Sequence, residues 1–200
     1  MSDIDAISVV GFEREYLDGL LEVAAYRKPA EYLCVLFLGS TIGNFDRAAG
    51  VKFLSQVRCI LQPGDSLLLG ADLEKSSSQL LRAYDDELGV TAAFNLNLLA
   101  RINRELGADF NLGEFEHVAR INKEARSVEM HLLSKRRQVV SIPAAEVVVE
   151  FRQGETIWTE SSHKYSVGEI CETARQAGFR CEVQWIDELW PFAENLLVAE

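Results

Sequence analysis

Apolar residues along the chain follow two different rhythms, and the change between them divides it. Ile7 to Phe12 is a short apolar run that can be a strand, and a helix is predicted between Tyr16 and the turn at Pro29. Tyr32 to Leu38 is continuous and apolar, the pattern of a strand buried on both faces in the middle of a parallel sheet. Asp46 can cap a helix running to about Leu61, with Val51, Leu54, Val57 and Leu61 on one face. The turn Gln62-Pro63-Gly64-Asp65 stops that helix, and a second apolar strand runs from Ser66 to Leu69, ending at Gly70-Ala71-Asp72. Strand, loop, helix, turn and strand in this order predict a right-handed crossover in a parallel α/β sheet.

Beyond Asp72 the rhythm changes. Residues from about Lys75 to Leu106 read as helical, with Phe94, Leu98, Ile102 and Leu106 at steps of four. From Glu114 to Lys164 short β segments follow: Val128 to Leu133, Gln138 to Ile142, Val147 to Phe151 and an extended Gly154 to Lys164. A helix returns near Ser166, where Ser166 and Glu169 have capping-box spacing and Gly178 can close the end. Strands over Cys181 to Ile186 and Asn195 to Ala199 complete the pattern. The α/β part is therefore predicted over 1–74 and 165–200, with 75–164 as an inserted mixed α+β subdomain.

Charge and composition narrow the function. The net charge of −11 argues against general phosphate-backbone binding, which needs clustered Lys and Arg, so no nucleic-acid partner is expected. The basic knot Lys135-Arg136-Arg137 is read as solvating a hairpin turn. No apolar run approaches a membrane span, and the opening residues carry no signal-peptide pattern, so a cytoplasmic protein without membrane contact is predicted. Cys34, Cys59, Cys171 and Cys181 form no CxxC pair and are read as small reduced core residues. His117, His131 and His163 have no metal-ligand spacing, so no metal is expected.

Ligands of open α/β sheets bind beyond the carboxyl ends of the strands, where Gly39 to Asn44 lies. Its glycines allow close backbone approach, Ser40 and Thr41 offer hydroxyls, and Asn44 offers a donor and an acceptor. A plain loop with an Asx-type turn explains the same residues equally well. Tyr84-Asp85-Asp86 reads first as a solvated acidic helix face. Glu160 and Ser162, two apart on an extended segment, share a side and could grip an imidazole, or simply be exposed polar residues of a hairpin. Met130 alone is a core residue.

Six segments in order carry a resemblance: Leu36-Phe-Leu-Gly-Ser-Thr-Ile-Gly-Asn44, Leu67-Leu-Leu-Gly-Ala-Asp72, Ala83-Tyr-Asp-Asp86, Gly89-Val-Thr-Ala-Ala-Phe-Asn95, Asn103-Arg-Glu-Leu-Gly-Ala-Asp-Phe110 and Thr159-Glu-Ser-Ser-His-Lys164. Together they resemble the histidine-specific methyltransferases, which use S-adenosylmethionine (SAM) and include the enzyme of ergothioneine biosynthesis. The resemblance implies the C-terminal portion of a class I, Rossmann-like methyltransferase domain carrying a substrate-binding subdomain. It implies that Asn44, with Gly39 beside it, holds the amino and carboxylate end of a small-molecule amino acid, and that Tyr84 stands at the carboxylate. Glu160 and Ser162 would read the imidazole, and Met130 would pack beside the ring, favouring histidine over a bulkier aromatic amino acid. The implied reaction is displacement by the neutral α-amine on the methyl of SAM, with positioning as the chief catalytic contribution and no dedicated catalytic acid or base.

The family's first cofactor motif would precede residue 1, and Glu15-Tyr16 is the remaining candidate contact to the adenine side. The first two strands of this fold lie between its third and fourth, so the Tyr32–Leu38 strand is expected to have an unpaired apolar edge. Three readings follow: a piece of a longer enzyme, half of an enzyme completed by a second polypeptide or another copy, or a non-catalytic amino-acid-binding module.

Overall fold

The computed structural model describes residues 8–200. Ser8 to Phe12 are irregular rather than a strand, while Ile7 lies outside the described residues. Helix α1 (Tyr16–Ala25) leads to strand β1 (Cys34–Phe37), and a 3-10 turn over Thr41–Asn44 precedes helix α2 (Arg47–Ile60). The Asp46 carboxylate accepts from the Ala49 N–H at 2.7 Å, so the expected cap is formed. Strand β2 (Ser66–Asp72) then pairs in parallel with β1, Leu36 opposite Leu68.

The predicted helical stretch is two helices, α3 (Ser77–Tyr84) and α4 (Val90–Leu106). Asp85 and Asp86 fall in the break between them instead of on a helix face. Asp86 accepts the N–H groups of Thr91 and Val90 at the start of α4, and these bonds hold its carboxyl down at about 2. Strands β3 (Phe115–Asn122), β4 (Ser127–Ser134), β5 (Gln138–Ile142), β6 (Val147–Phe151) and β7 (Thr156–His163) follow. Helix α5 (Val167–Gln176), β8 (Phe179–Asp187) and β9 (Phe192–Ala199) end the chain. The Glu169 carboxylate accepts from the Ser166 N–H at 3.2 Å, and Gly178 leaves the helix at φ +88°, a conformation that favours glycine.

The main sheet has the order β1-β2-β9-β8, parallel at β1/β2 and antiparallel elsewhere. A three-stranded antiparallel sheet, β3-β4-β7, and a β5-β6 hairpin complete the α/β architecture. One apolar cluster joins Leu67, Leu69 and Leu197 to Phe53, Leu54 and Val57 of α2 and to Ile170 and Ala174 of α5. A second joins Leu99 of α4 to Phe115, Leu132, Val140 and Phe151.

The expectation that β1 is buried on both faces is not met. Among the described residues β1 hydrogen-bonds only to β2, which makes it an edge. Val35 and Phe37 pack on the main cluster, but Leu36 is 61% exposed, and Tyr32 and Leu38 also face solvent. The register places Leu36, Leu68, Leu196 and Trp185 on the face opposite Leu67 and Leu197, so the apolar run has a covered side and an open one. The cysteines also differ from expectation. All four are free, but Cys34 and Cys59 are exposed and Cys171 and Cys181 only half-buried. Burial and the neighbouring Cys171 push the Cys181 thiol up to about 12.

The two sheets meet at the end of β2. The Tyr165 N–H donates to the Asp72 carbonyl at 3.0 Å, and the Glu74 N–H returns to the Tyr165 carbonyl at 3.0 Å. Glu169 receives Arg47 and Arg126, each at 2.6 Å, and Arg47 lies 4.3 Å over the Tyr165 ring. Lys135-Arg136-Arg137 is a bend linking β4 to β5, which lie in different sheets, and so is not the expected hairpin turn; Arg136 and Arg137 pair with Glu114 and Glu150. No described helix is long and apolar enough to cross a membrane.

Candidate functional site

The loop after β1 is shaped by backbone needs. Gly39 and Ser40 both lie in the left-handed region, at φ +70° and +58°, which costs strain at Ser40. The strain is held by a bond that crosses to β2, in which the Asp72 N–H donates to Ser40 Oγ at 2.9 Å. Gly43 is needed for a different reason: a Cβ there would stand 2.9 Å from the His163 carbonyl oxygen. His163 Nδ1 donates to the Gly43 carbonyl at 3.0 Å, so β7 is clamped against the loop.

Beside this clamp lies an open cavity of about 350 Å³ lined by Gly39, Ser40, Thr41, Asn44, Asp72, Tyr84, Glu160, Ser162 and Phe192. Five of the six residues singled out for substrate therefore meet in one place: Gly39, Asn44, Tyr84, Glu160 and Ser162. The sixth, Met130, is buried and sits opposite Glu160 on the neighbouring strand, beneath the wall. A β-bulge skips Thr159 between those pairs, and the Thr159 hydroxyl bonds to the Met130 carbonyl at 2.9 Å. Bulges of this kind re-aim the side chains beside them, here Glu160.

The cavity wall is polar and mostly satisfied. Tyr84, at the end of α3, is fixed from behind: His117 Nε2 donates to the Tyr84 carbonyl at 2.7 Å, while Asn95 Nδ2 donates to His117 Nδ1 at 3.0 Å. The Tyr84 hydroxyl donates to Ser162 Oγ at 2.8 Å. Lys164, 1% exposed, reaches Tyr84, Ser162 and Asp72 at 2.7, 2.8 and 2.8 Å. Asp72 also accepts from Lys75 at 2.6 Å. The Glu160 carboxylate stands apart. Burial pushes its pKa up, the charge of Lys164 only partly offsets this, and no hydrogen bond holds it among the described residues. An unbonded, half-buried carboxylate on a cavity wall is a ready acceptor for a ligand N–H.

Asp72, Lys164 and Phe192 were not singled out from sequence. Asp72 and Lys164 each end a quoted segment, and the spacing of Lys164 from Ser162 on one strand face was the available signal. Phe192 had none.

Glu15 and Tyr16 are elsewhere, in a separate cavity of about 470 Å³ with Phe45, Lys52 and Phe53. Tyr16 packs edge-on to Phe37 at 5.6 Å between ring centres. The two cavities border one loop, since Asn44 lines the first and Phe45 the second.

A profile of the SAM-dependent, histidine-specific methyltransferases matches residues 1–199. The chain belongs to that family. Among the relatives of this chain is the histidine N-alpha-methyltransferase of Mycolicibacterium smegmatis, 48% identical over 164 residues, covering 82% of this chain and 51% of the relative. The enzyme of the same name from Mycobacterium tuberculosis is 45% identical over 161 residues, covering 80% and 50%. An L-tryptophan methyltransferase of Psilocybe serbica is 31% identical over 191 residues, covering 91% and 52%. The chain thus spans about half the length of these methyltransferases.

Proposed function

We propose that this chain carries the amino-acid-binding half of a SAM-dependent methyltransferase that acts on the α-amine of histidine. One observation carries the reading: Gly39, Asn44, Tyr84, Glu160 and Ser162, far apart in sequence, line one cavity whose only unbonded carboxylate is Glu160. In this reading Asn44 and the Gly39 loop hold the amino and carboxylate end, with the Tyr84 ring beside the carboxylate and its hydroxyl turned to Ser162. Glu160 and Ser162 take the ring, which packs over Met130. Segments 1–74 and 165–200 form the methyltransferase part and 75–164 the substrate subdomain, a division that fits the two apolar clusters.

SAM would supply an electrophilic methyl group on sulfonium. The lining of the second cavity suits its adenine: Tyr16, Phe45 and Phe53 make it aromatic, and Glu15 adds an acceptor for an exocyclic amine. The contribution of this chain to the reaction is to bind the amino acid, fix its amine and keep competing ligands out. Displacement by a neutral α-amine needs no strong base.

The edge of β1 left open among the described residues, and the uncovered sheet face, fit completion by further chain of a longer enzyme, by a second polypeptide or by another copy of this chain. We place the protein in the cytoplasm, and its net charge of −11 disfavours nucleic acid. Calorimetry of the purified chain with histidine, with and without S-adenosylhomocysteine, tests the function. Histidine heat that is lost in Glu160→Ala supports the pocket, and no histidine binding overturns it. Added cofactor heat would show that this chain alone holds SAM. Histidine heat alone would favour the second reading, an amino-acid-binding subunit that is inactive until completed.

A further inference from the structure

Lys164 is a costly residue to place where it is. The residue is 1% exposed, and its ammonium has three N–H donors and no accepting capacity. All three donors are used: Tyr84 Oη at 2.7 Å, Ser162 Oγ at 2.8 Å and Asp72 Oδ2 at 2.8 Å. The ammonium also lies 4.6 Å from the centre of the Tyr84 ring. The backbone at Lys164 is pinned too, its N–H donating to the Arg126 carbonyl at 2.8 Å and its carbonyl accepting from Arg47 at 2.7 Å. Holding Asp72 alone would not require this, because Lys75 already pairs with that carboxylate.

The consequence lies in the hydroxyls. A serine oxygen has two lone pairs and one proton. Ser162 Oγ receives one hydrogen bond from Lys164 and a second from the Tyr84 hydroxyl, which itself accepts from Lys164. Both lone pairs of Ser162 are thereby occupied. What it can still offer is its own proton, and it lines the cavity beside Glu160. The two residues are two apart on β7 and share a face. One presents an acceptor and the other a donor.

We propose that Lys164 is a positioning residue that sets the hydrogen-bond polarity of this end of the pocket, filling the acceptor sites of Ser162 so that the wall donates at Ser162 and accepts at Glu160. The inference rests on the histidine-pocket reading above. A ring with one N–H and one bare nitrogen, the neutral imidazole, satisfies both groups. A pyrrole leaves the Ser162 proton without a partner, and an imidazolium sets N–H against O–H; each strands a buried polar group.

The test compares L-histidine with the two pyrrolylalanines, each of which replaces one ring nitrogen by C–H. Calorimetry would use the full chain, K164M and Y84F, with circular dichroism to confirm folding. The wild type should prefer histidine over the better-binding pyrrolylalanine by about tenfold, the weight of one hydrogen bond of this kind. In K164M both ligands should weaken, and the preference should fall toward one although Ser162 is intact. In Y84F, which vacates one lone pair of Ser162 and leaves Lys164 in place, the preference should also drop. A K164M chain that weakens both ligands but keeps the wild-type preference would make the lysine merely structural and overturn the proposal. A second measurement avoids variants: nitrogen-15 spectra of labelled histidine on the wild type should show one protonated and one bare ring nitrogen. Two protonated nitrogens would overturn it. A wild type that binds no histidine would instead sink the pocket reading, and this inference with it.

Discussion

Strand β2 begins and ends beside an aspartate with a cationic partner, and the two ends do different work. At the start, Asp65 is fully buried between Arg27 and the N–H groups of Leu33 and Gln62, at 2.9 and 2.8 Å. Those bonds join the segment before β1 to the turn before β2, so Asp65 sews the sheet together. At the far end, Asp72 is 17% exposed and takes Lys75 and Lys164 from two other elements. Through Lys164 it sets the cavity wall. Burial alone does not separate a structural acid from a functional one here. What separates them is where the partner's remaining hydrogen bonds go: the lysine beyond Asp72 reaches the hydroxyls of the pocket.

Replacing Asp65 tests the structural end and should have the largest effect. Asp65→Asn leaves the Arg27 charge, itself only 8% exposed, without its carboxylate. The expected cost is about 3–5 kcal/mol, read by urea unfolding. The pH dependence follows from the same bonds. Burial works to raise the Asp65 pKa, but the Leu33 and Gln62 N–H groups and Arg27 outweigh it and hold the carboxyl below its ordinary value. A carboxylate depressed in the folded state contributes stability that is full above its unfolded pKa, about 4, and is lost as the pH falls through the folded one. The wild type should therefore lose stability on acidification in a step that Asp65→Asn flattens. An unchanged acid limb would show that Asp65 is not a source of that loss.

Asp72→Asn should cost less, about 1–3 kcal/mol, because Lys164 keeps two hydroxyl acceptors and the site is partly open to water. Its larger consequence should be on ligand binding, since Lys164 loses the anchor that aims it. If histidine affinity is unchanged in Asp72→Asn while stability falls as far as in Asp65→Asn, the distinction between the two ends fails.

How far this was legible in the sequence follows from the same residues. The parallel β1/β2 unit, the Asp46 cap and the bounds of the β5–β6 hairpin could be read because each depends on local pattern. The strand-end rule raised the Gly39–Asn44 loop and spacing raised the Glu160/Ser162 pair, each beside a bland alternative, but only the resemblance joined them with Tyr84, since nothing in their spacing brings Asn44, Tyr84 and Glu160 together. The burial of β1 was misjudged for a physical reason. A continuous apolar run shows that both faces suit an apolar environment, not that this chain supplies both covers. Asp65 looked like a turn residue and Lys164 like the end of a motif, because a buried ion pair leaves no periodic trace.

Glu160→Gln sharpens the comparison from the pocket side and should have the smallest effect of the three. Unlike Asp65, Glu160 has its pKa raised, by burial that the charge of Lys164 only partly offsets. A carboxyl raised in the folded state opposes folding at neutral pH, so the neutral amide should leave stability unchanged or slightly higher. Binding should move the other way. The amide oxygen can still accept a ring N–H, but the charge assistance is gone, so histidine affinity should fall about tenfold. Thermal unfolding and calorimetry on one sample read both quantities. Stability held and affinity lost is the signature of a group kept for a ligand, the reverse of what Asp65→Asn should show. If Glu160→Gln destabilises the fold and leaves histidine binding intact, Glu160 belongs with Asp65, and the ring must be read elsewhere.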